Sequence, residues 1–560
     1  LGRLEKTDSI LIVSFLTLTV LPVLYTLRHL DDNALTSWRW VFSDTGIGGV
    51  LSSVIVGIVL SFFFSRLSFP ERHPALFLFI LSFVTVLPLW EEPEVILDAS
   101  RYFIQAKYLE LYGVGHFLRE WGREIFVWTD MPVVPLLYGI IFRYLGESRA
   151  FIQLFNTILF SLTTVVTCLL GRSLWDRETG LSAGILLLGI PYLLTQVPLM
   201  LVDIPTMFFL TLSIYVFIRA IRGGGVLWIL LASLSMFFTI FSKFSAVLML
   251  SVLPVAAIVC PAEDRRKAIL SMCMMVFIVC ILSGSLFLIK YDVFRSQIAL
   301  LSSYQWPGLE RWHEGFSSTF LFQSHPFIII LALIAVPIAI WKRDWRFLIA
   351  GWFAVFILAL HVKRIRYILP LFPLFTLMAS YGLNTIADRE IKRFIAFSIV
   401  ASSVAVLFFG FLPFLTRTSA TNLKDAGRYL DTLGCETVEV YTLPQKTPIG
   451  NTEAAIPILD LFTTKRIIYR QEQISPPPGI ETSPLRFTYE LKLPGFYYET
   501  GNKGGSILAI LSGERLSTLP PQTITGRDVK LMKEFSASDI FLYRTSVTVA
   551  GRDCLSRDEQ

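Results

Sequence analysis

Five places in this 560-residue chain set ionisable side chains directly against apolar runs. They are Asp98 with Arg101 and Tyr102; Asp130, between Trp128 and Pro132; Asp203, two residues ahead of Pro205; the run Lys363-Arg364-Ile365-Arg366-Tyr367; and Lys243, between two hydrophobic stretches. Charge beside hydrocarbon is costly and tends to be kept for function. Three carboxylates facing several cations at one membrane surface suit an anionic lipid headgroup together with a neutral nucleophile. The cations neutralise a phosphate, and a carboxylate takes the proton from an attacking hydroxyl or amine. Blander readings compete at each place. Asp203 is also placed to cap a helix, and Arg364 and Arg366 to snorkel toward lipid phosphates.

The elements that must hold these groups are apolar. The chain is 54% hydrophobic with 46 Phe and only 16% charged, and many of its apolar runs reach membrane-spanning length. Its mean hydropathy is +0.62. A net charge of +6, spread as short basic clusters between apolar runs, reads as membrane orientation and argues against a nucleic-acid partner. The six cysteines have no metal-ligand spacing; Cys168, Cys260, Cys273 and Cys280 lie in or beside apolar runs, and Cys435 and Cys554 in the polar tail are free to pair on an oxidising side.

About thirteen spans are expected: 9–27, 46–64, 75–90, 151–171, 181–197, 205–221, 226–241, 244–260, 268–289, 326–341, 347–361, 368–387 and 394–413. With Arg3 and Lys6 inside, every inside loop is basic, as the positive-inside rule asks. The first apolar run is kept as an anchor, since it is long for a signal-peptide core and lacks a clear small-residue cleavage site. The outer face then receives the five places named above, a large loop at 91–150 and the whole tail. The polar stretch 91–130, with Trp90, Tyr102, Tyr108, Tyr112, Trp121 and Trp128 among its charges, is read as a loop at the membrane surface. The short apolar run 133–145 is expected to lie flat as an interfacial helix. Residues 1–414 thus form a polytopic α-helical membrane domain, and 415–560 an extracytoplasmic accessory α/β domain. Within that domain a helix is expected at 422–433, a helix-like piece at 452–461, and strands at 437–442, 466–469, 506–511 and 540–547.

The order of motifs from Asp98 onward resembles the GT-C class of membrane glycosyltransferases that use polyprenyl-phosphate sugars. Protein O-mannosyltransferases and the bacterial aminoarabinose transferase of lipid A are similar in pattern. The elements are Asp98…Arg101-Tyr102; Asp130-Met131-Pro132 leading into Val133-Val134-Pro135-Leu136-Leu137-Tyr138; Gly146-Glu147-Ser148-Arg149; Val202-Asp203-Ile204-Pro205-Thr206-Met207-Phe208-Phe209; and Arg366-Tyr367-Ile368-Leu369-Pro370. Two departures stand out. Ala99 occupies the position of the usual second acid, and Met131 that of a frequent Lys, so Arg364, Arg366 or Lys243 must supply that charge.

The resemblance implies a membrane glycosyltransferase that moves a sugar from a polyprenyl-phosphate donor to a lipid, glycan or protein acceptor on the outer face, with inversion at the anomeric carbon. Asp98 is then the general base, with Asp130 and Asp203 orienting acceptor or sugar. Arg101 and Tyr102 belong to the substrate loop, and Arg364, Arg366, Tyr367 and Lys243 hold the donor phosphate. No His/Cys cluster points to a metal, although three carboxylates leave a divalent ion open. The competing reading is a transporter or flippase of lipid-linked sugars. Such a protein more naturally shows repeats and mid-membrane charges, whereas the charges here gather at one face.

Overall fold

The computed structural model describes residues 6–28, 41–42, 45–91, 93–94, 96–260, 262, 264–308, 323–360, 364–443, 451–471, 474–476, 478–483, 486–498, 507–513, 530–536 and 545–551. They form two compact units. The first comprises Leu1–Trp90, Leu154–Pro198 and Val202–Phe414; the second comprises Glu91–Gln153, Leu199–Leu201 and Leu415–Gln560.

The first unit is a helical membrane body. Each apolar run anticipated as a span is helical, but length and composition qualify seven helices as crossings among the described residues, not thirteen: Lys6–Arg28, Ile47–Arg66, Pro74–Glu91, Arg149–Leu174, Asp203–Gly223, Arg265–Ile289 and Arg389–Thr418. The others are short or broken. The run 181–197 divides into Arg177–Leu187 and Pro191–Gln196, because Pro191 has no N–H to continue the ladder. The run 244–260 divides into Phe244–Met249 and Val252–Val259. Helix Arg265–Ile289 has only 6% of its apolar window buried, against 78% for Asp203–Gly223. Its exposed Val276, Phe277, Leu288 and Ile289 form a surface suited to lipid.

Small and hydroxylated residues bring the inner helices together. A Cβ on Gly171 would lie 2.8 Å from the Cα of Gly180. Ser403 donates to the Gly189 carbonyl at 2.7 Å, Ser380 to the Thr179 carbonyl at 2.6 Å, and the buried His325 imidazole meets Ser402 at 3.0 Å. The basic loops assigned by charge to one face do meet. Lys6 and Arg66 lie 2.5 and 3.7 Å from Glu390, and Arg393 reaches both Glu71 at 2.6 Å and Glu178 at 2.8 Å. Arg222 donates to the Ser173 carbonyl at 2.7 Å, and Trp175 to Asp344 at 2.9 Å.

In the second unit the polar stretch read as a surface loop is mostly a helix, Ile96–Glu120, bent where Gly113 takes φ 87°. Ala99, Phe103, Ala106 and Leu109 are buried along it. Helix Val133–Leu145 crosses it closely enough that a Cβ on Gly139 would sit 2.6 Å from the Leu109 Cβ. The described residues of the unit also hold helix Thr421–Thr432, the anticipated helical piece as Thr452–Ala455 and Ile456–Leu461, and five strands: β1 Thr437–Thr442, β2 Arg466–Tyr469, β3 Ile507–Ser512, β4 Lys530–Phe535 and β5 Ser546–Gly551. The sheet order is β2-β1-β3-β5-β4, with β2, β1 and β3 parallel and β5 antiparallel to both neighbours. This is the expected α/β domain. Of the strand anticipated at 540–547, 540–544 lie outside the described residues, Thr545 is not strand and β5 begins at Ser546; β4 was not anticipated. Ser100 on the loop helix donates to the Ala454 carbonyl at 2.6 Å, so the loop and the tail share one core. Cys435 is disulfide-bonded; Cys554 lies outside the described residues.

Candidate functional site

The charged residues singled out from sequence fall into two clusters, one in each unit. In the second unit Asp98 occupies the first turn of helix Ile96–Glu120, where a carboxylate is favoured by the helix dipole, and Arg101 follows one turn on. Arg101 donates from Nε and Nη2 to the two oxygens of Asp130, both at 3.1 Å, and Gln105 donates to the same carboxylate at 3.0 Å. Nη2 of Arg101 also lies 3.0 Å from Asp98 Oδ1. Burial opposes the Arg101 charge, but Asp130 and then Asp98 more than offset it, so the guanidinium is held protonated well above its ordinary range. The two carboxylates differ in access, the Asp130 side chain being 2% exposed and that of Asp98 22%. Asp130 is built as a clamp on Arg101, and Arg101 holds Asp98. Tyr102 is buried beside them.

The second cluster, in the first unit, is built around Asp203, the first residue of helix Asp203–Gly223 and fully buried. Its carboxylate does not cap the helix. Oδ1 accepts from Lys243 Nζ at 2.6 Å and Oδ2 from Arg366 Nε at 3.0 Å. Lys243 stands at the break between helices Val226–Ile240 and Phe244–Met249, and Arg366 within the short helix Ile365–Ile368. The Tyr367 ring lies under both Lys243, at 5.4 Å, and the Arg364 guanidinium, at 5.3 Å. Asp203 thus pairs with Lys243 and Arg366, and Arg364 joins them through the shared Tyr367 ring.

Among the described residues no group of three His, Cys, Asp or Glu side chains converges as a metal site. Asp130 and Asp203 have their oxygens committed to cationic donors.

Two sets of residues went unassigned in the sequence. Glu94, fully buried, accepts from Arg149 Nε at 2.7 Å and from the Met200 backbone N–H at 2.9 Å, and Tyr138 donates to the Leu201 carbonyl at 2.6 Å. Together they hold the segment Leu199–Leu201, which runs covalently into Asp203. Tyr138 and Arg149 lie in quoted motifs, but Glu94 sits in a run with Glu91 and Glu92 that gives it no distinguishing signal. The other set joins loop to tail. Lys107 lies 2.6 Å from Asp460 and 3.2 Å from Glu147, and Tyr497 donates to Asp460 at 2.7 Å. Burial pushes the Asp460 carboxyl up to about 6 and that of Glu147 up to about 7, against the pull of Lys107. Burial likewise opposes the Lys107 ammonium, but Asp460 and Glu147 outweigh it and hold it up. One ammonium does not balance two carboxylates, of which Asp460 is buried and Glu147 partly so.

Residues 130–290 match the model of the dolichyl-phosphate-mannose-protein mannosyltransferase family. Among solved structures, ArnT from Cupriavidus metallidurans in the apo state matches at TM-score 0.54 and 11% identity, covering 84% of this chain and 97% of that one. The same protein bound to undecaprenyl phosphate matches at TM-score 0.52 and 12% identity, with the same coverage. The family match over 130–290 and the shared fold are both consistent with the resemblance drawn from the motif order. No curated relative matches the chain by sequence. The GT-C resemblance drawn from the motif order therefore stands, as does a multi-pass helical body with a small C-terminal sheet domain. The family match takes in Asp130, Tyr138, Arg149, Asp203 and Lys243; Asp98 and the Arg364–Tyr367 turn lie beyond it.

Proposed function

We propose that the chain transfers a sugar from a polyprenyl-phosphate donor to a hydroxyl or amine acceptor on the extracytoplasmic face. The acceptor attacks the anomeric carbon, the bond from that carbon to the phosphate oxygen breaks, and polyprenyl phosphate departs. The configuration inverts in this single displacement. Asp98, the more accessible partner of Arg101, takes the acceptor proton. Asp130 positions Arg101, and through it Asp98. Lys243, Arg364 and Arg366, with Tyr367 beneath, hold the donor phosphate and neutralise the charge that grows as it leaves. Arg101 and Tyr102, on helix Ile96–Glu120, belong to the substrate-binding segment.

The observation that carries this reading is the Asp203 cluster. A buried carboxylate with both oxygens on Lys243 and Arg366 fixes two cations at one place, with Arg364 beside them on the Tyr367 ring. That ArnT is a protein seen with undecaprenyl phosphate supports a donor of the same chemistry. The test is to incubate the purified protein with radiolabelled polyprenyl-phosphate sugars and a membrane extract as acceptor source, following loss of label from the lipid. Arg366→Ala should weaken donor binding about 10- to 100-fold, the scale of one charged hydrogen bond, and slow turnover as well. Donor binding unchanged in Arg366→Ala would place the phosphate elsewhere.

A further inference from the structure

The end of the first unit that gathers the basic loops contains a cavity of about 410 Å³ whose lining residues are all polar or charged. Arg222, at the C-terminal end of the 21-residue helix whose first residue is Asp203, belongs to that end. At 1.5 Å per residue the cavity lies at the far side of the unit from the Asp203 cluster.

Two copies of one tripeptide border it. Asp176-Arg177-Glu178 opens helix Arg177–Leu187, and Asp388-Arg389-Glu390 opens helix Arg389–Val406. In each copy the aspartate caps the helix, Asp176 accepting from the Thr179 N–H and Asp388 from the Ile391 N–H. In each copy the glutamate is taken up by cations from elsewhere. Arg393 lies 2.8 Å from Glu178, and Lys6 lies 2.5 Å from Glu390. The two arginines remain. Each is the first residue of its helix, where the dipole favours an anion and disfavours a cation. Both line the cavity, and among the described residues neither forms an ion pair. Both are exposed, so solvent screens most of that dipole cost and leaves their charges accessible at the cavity.

Lys392 supplies a third, independent observation. It lines the same cavity, is only 7% exposed, and directs its ammonium to the neutral Asn384 amide oxygen at 2.7 Å. Among the described residues no carboxylate lies within ion-pair distance of it, so a buried positive charge stands without a counter-charge beside two helix N-termini. Of the carboxylates that share the cavity, Glu71 and Glu178 each give Oε1 to Arg393, Glu178 Oε2 has no hydrogen-bond partner among the described residues, and Asp176 is held by Thr179 and Asn384.

We propose that this cavity binds a phosphate-type anion, carried by a phospholipid headgroup or free in solution, on Arg177, Arg389 and Lys392. Two helix N-termini and three cations are the arrangement that such oxygens satisfy. The site is independent of the donor phosphate site.

The test uses the full-length protein, purified and delipidated in detergent. Native mass spectrometry is recorded with phosphatidylglycerol and with phosphatidylcholine. Melting is followed with sodium phosphate against sodium chloride at equal ionic strength. A retained phosphatidylglycerol adduct, absent with phosphatidylcholine and weakened about tenfold or more in Arg177→Gln/Arg389→Gln, assigns the site to a lipid headgroup. A phosphate-specific rise in melting temperature, lost in the same variant and without a lipid adduct, assigns it to the free ion. The double variant breaks no ion pair and should fold. Arg177→Lys/Arg389→Lys, which keeps the charge, should retain part of the effect. Adducts of equal strength in wild type and double variant together with no phosphate effect would overturn the proposal.

Discussion

Asp98 and Asp130 share one guanidinium, yet replacing each with asparagine should have opposite consequences. Asp130 is 2% exposed and accepts Arg101 Nε, Arg101 Nη2 and Gln105 Nε2. An asparagine there must turn an NH2 toward at least one of those donors, and it removes the stronger of the two charges balancing a buried cation. Breaking a buried pair costs about 3–5 kcal/mol, so Asp130→Asn should melt well below wild type. Asp98 touches Arg101 through Nη2, at 3.0 Å, and is 22% exposed. Arg101 keeps its clamp in Asp98→Asn, so the cost in stability should be only about 1 kcal/mol. As general base, however, Asp98 acts in the transition state. Its loss should lower turnover about 10²–10⁴-fold, or roughly 3–5 kcal/mol in the barrier, with little change in donor affinity. The assay pairs a melting curve in detergent with release of labelled sugar from the lipid donor. Near-normal turnover in a well-folded Asp98→Asn would remove Asp98 as the base, and an Asp130→Asn that melts like wild type would refute the clamp.

Asp203→Asn strips the shared counter-charge from Lys243 and Arg366 and should cost about 3–5 kcal/mol by melting; an unshifted melt would mean those cations are balanced by other groups. Tyr138→Phe leaves the Leu201 carbonyl without its donor and should cost about 1–3 kcal/mol, checked the same way. The Lys107 triad predicts a pH dependence. Burial raises the Glu147 and Asp460 carboxyls, so their contribution to stability is full below about pH 4 and is lost as pH rises through about 6 and 7. Glu110 faces Glu147 and raises it further, while Lys107, already held above its ordinary value, stays charged across that window. Glu147→Gln should therefore shrink the drop in melting temperature between pH 5 and pH 8, and an unchanged drop would locate it elsewhere.

What the sequence made legible follows from where each residue's partner lies. Apolar runs announce themselves by length, so the helices of the first unit were readable even where Pro191 broke one of them. β2 was readable from the contiguous Ile467-Ile468-Tyr469, and β1 from its β-branched and aromatic residues Thr437, Val438, Val440, Tyr441 and Thr442. β4, with Lys530, Lys533 and Glu534 in six residues, is the outer strand of its sheet, where charge replaces an apolar signature. Asp203 and Lys243 stood out because no other charge lies near them in sequence. The helix Ile96–Glu120 failed for the converse reason. Asp98, Arg101 and Lys107 give it the composition of a wet loop, yet the partner of Arg101 is 29 positions away and that of Lys107 is 353. A charge neutralised at that distance counts locally as a reason to face water, and only the fold turns it into a reason to be buried. The Asp-Arg-Glu pair hides in the same way. Its two copies are unremarkable until the fold places both helix N-termini at one cavity and engages both glutamates with cations from other loops.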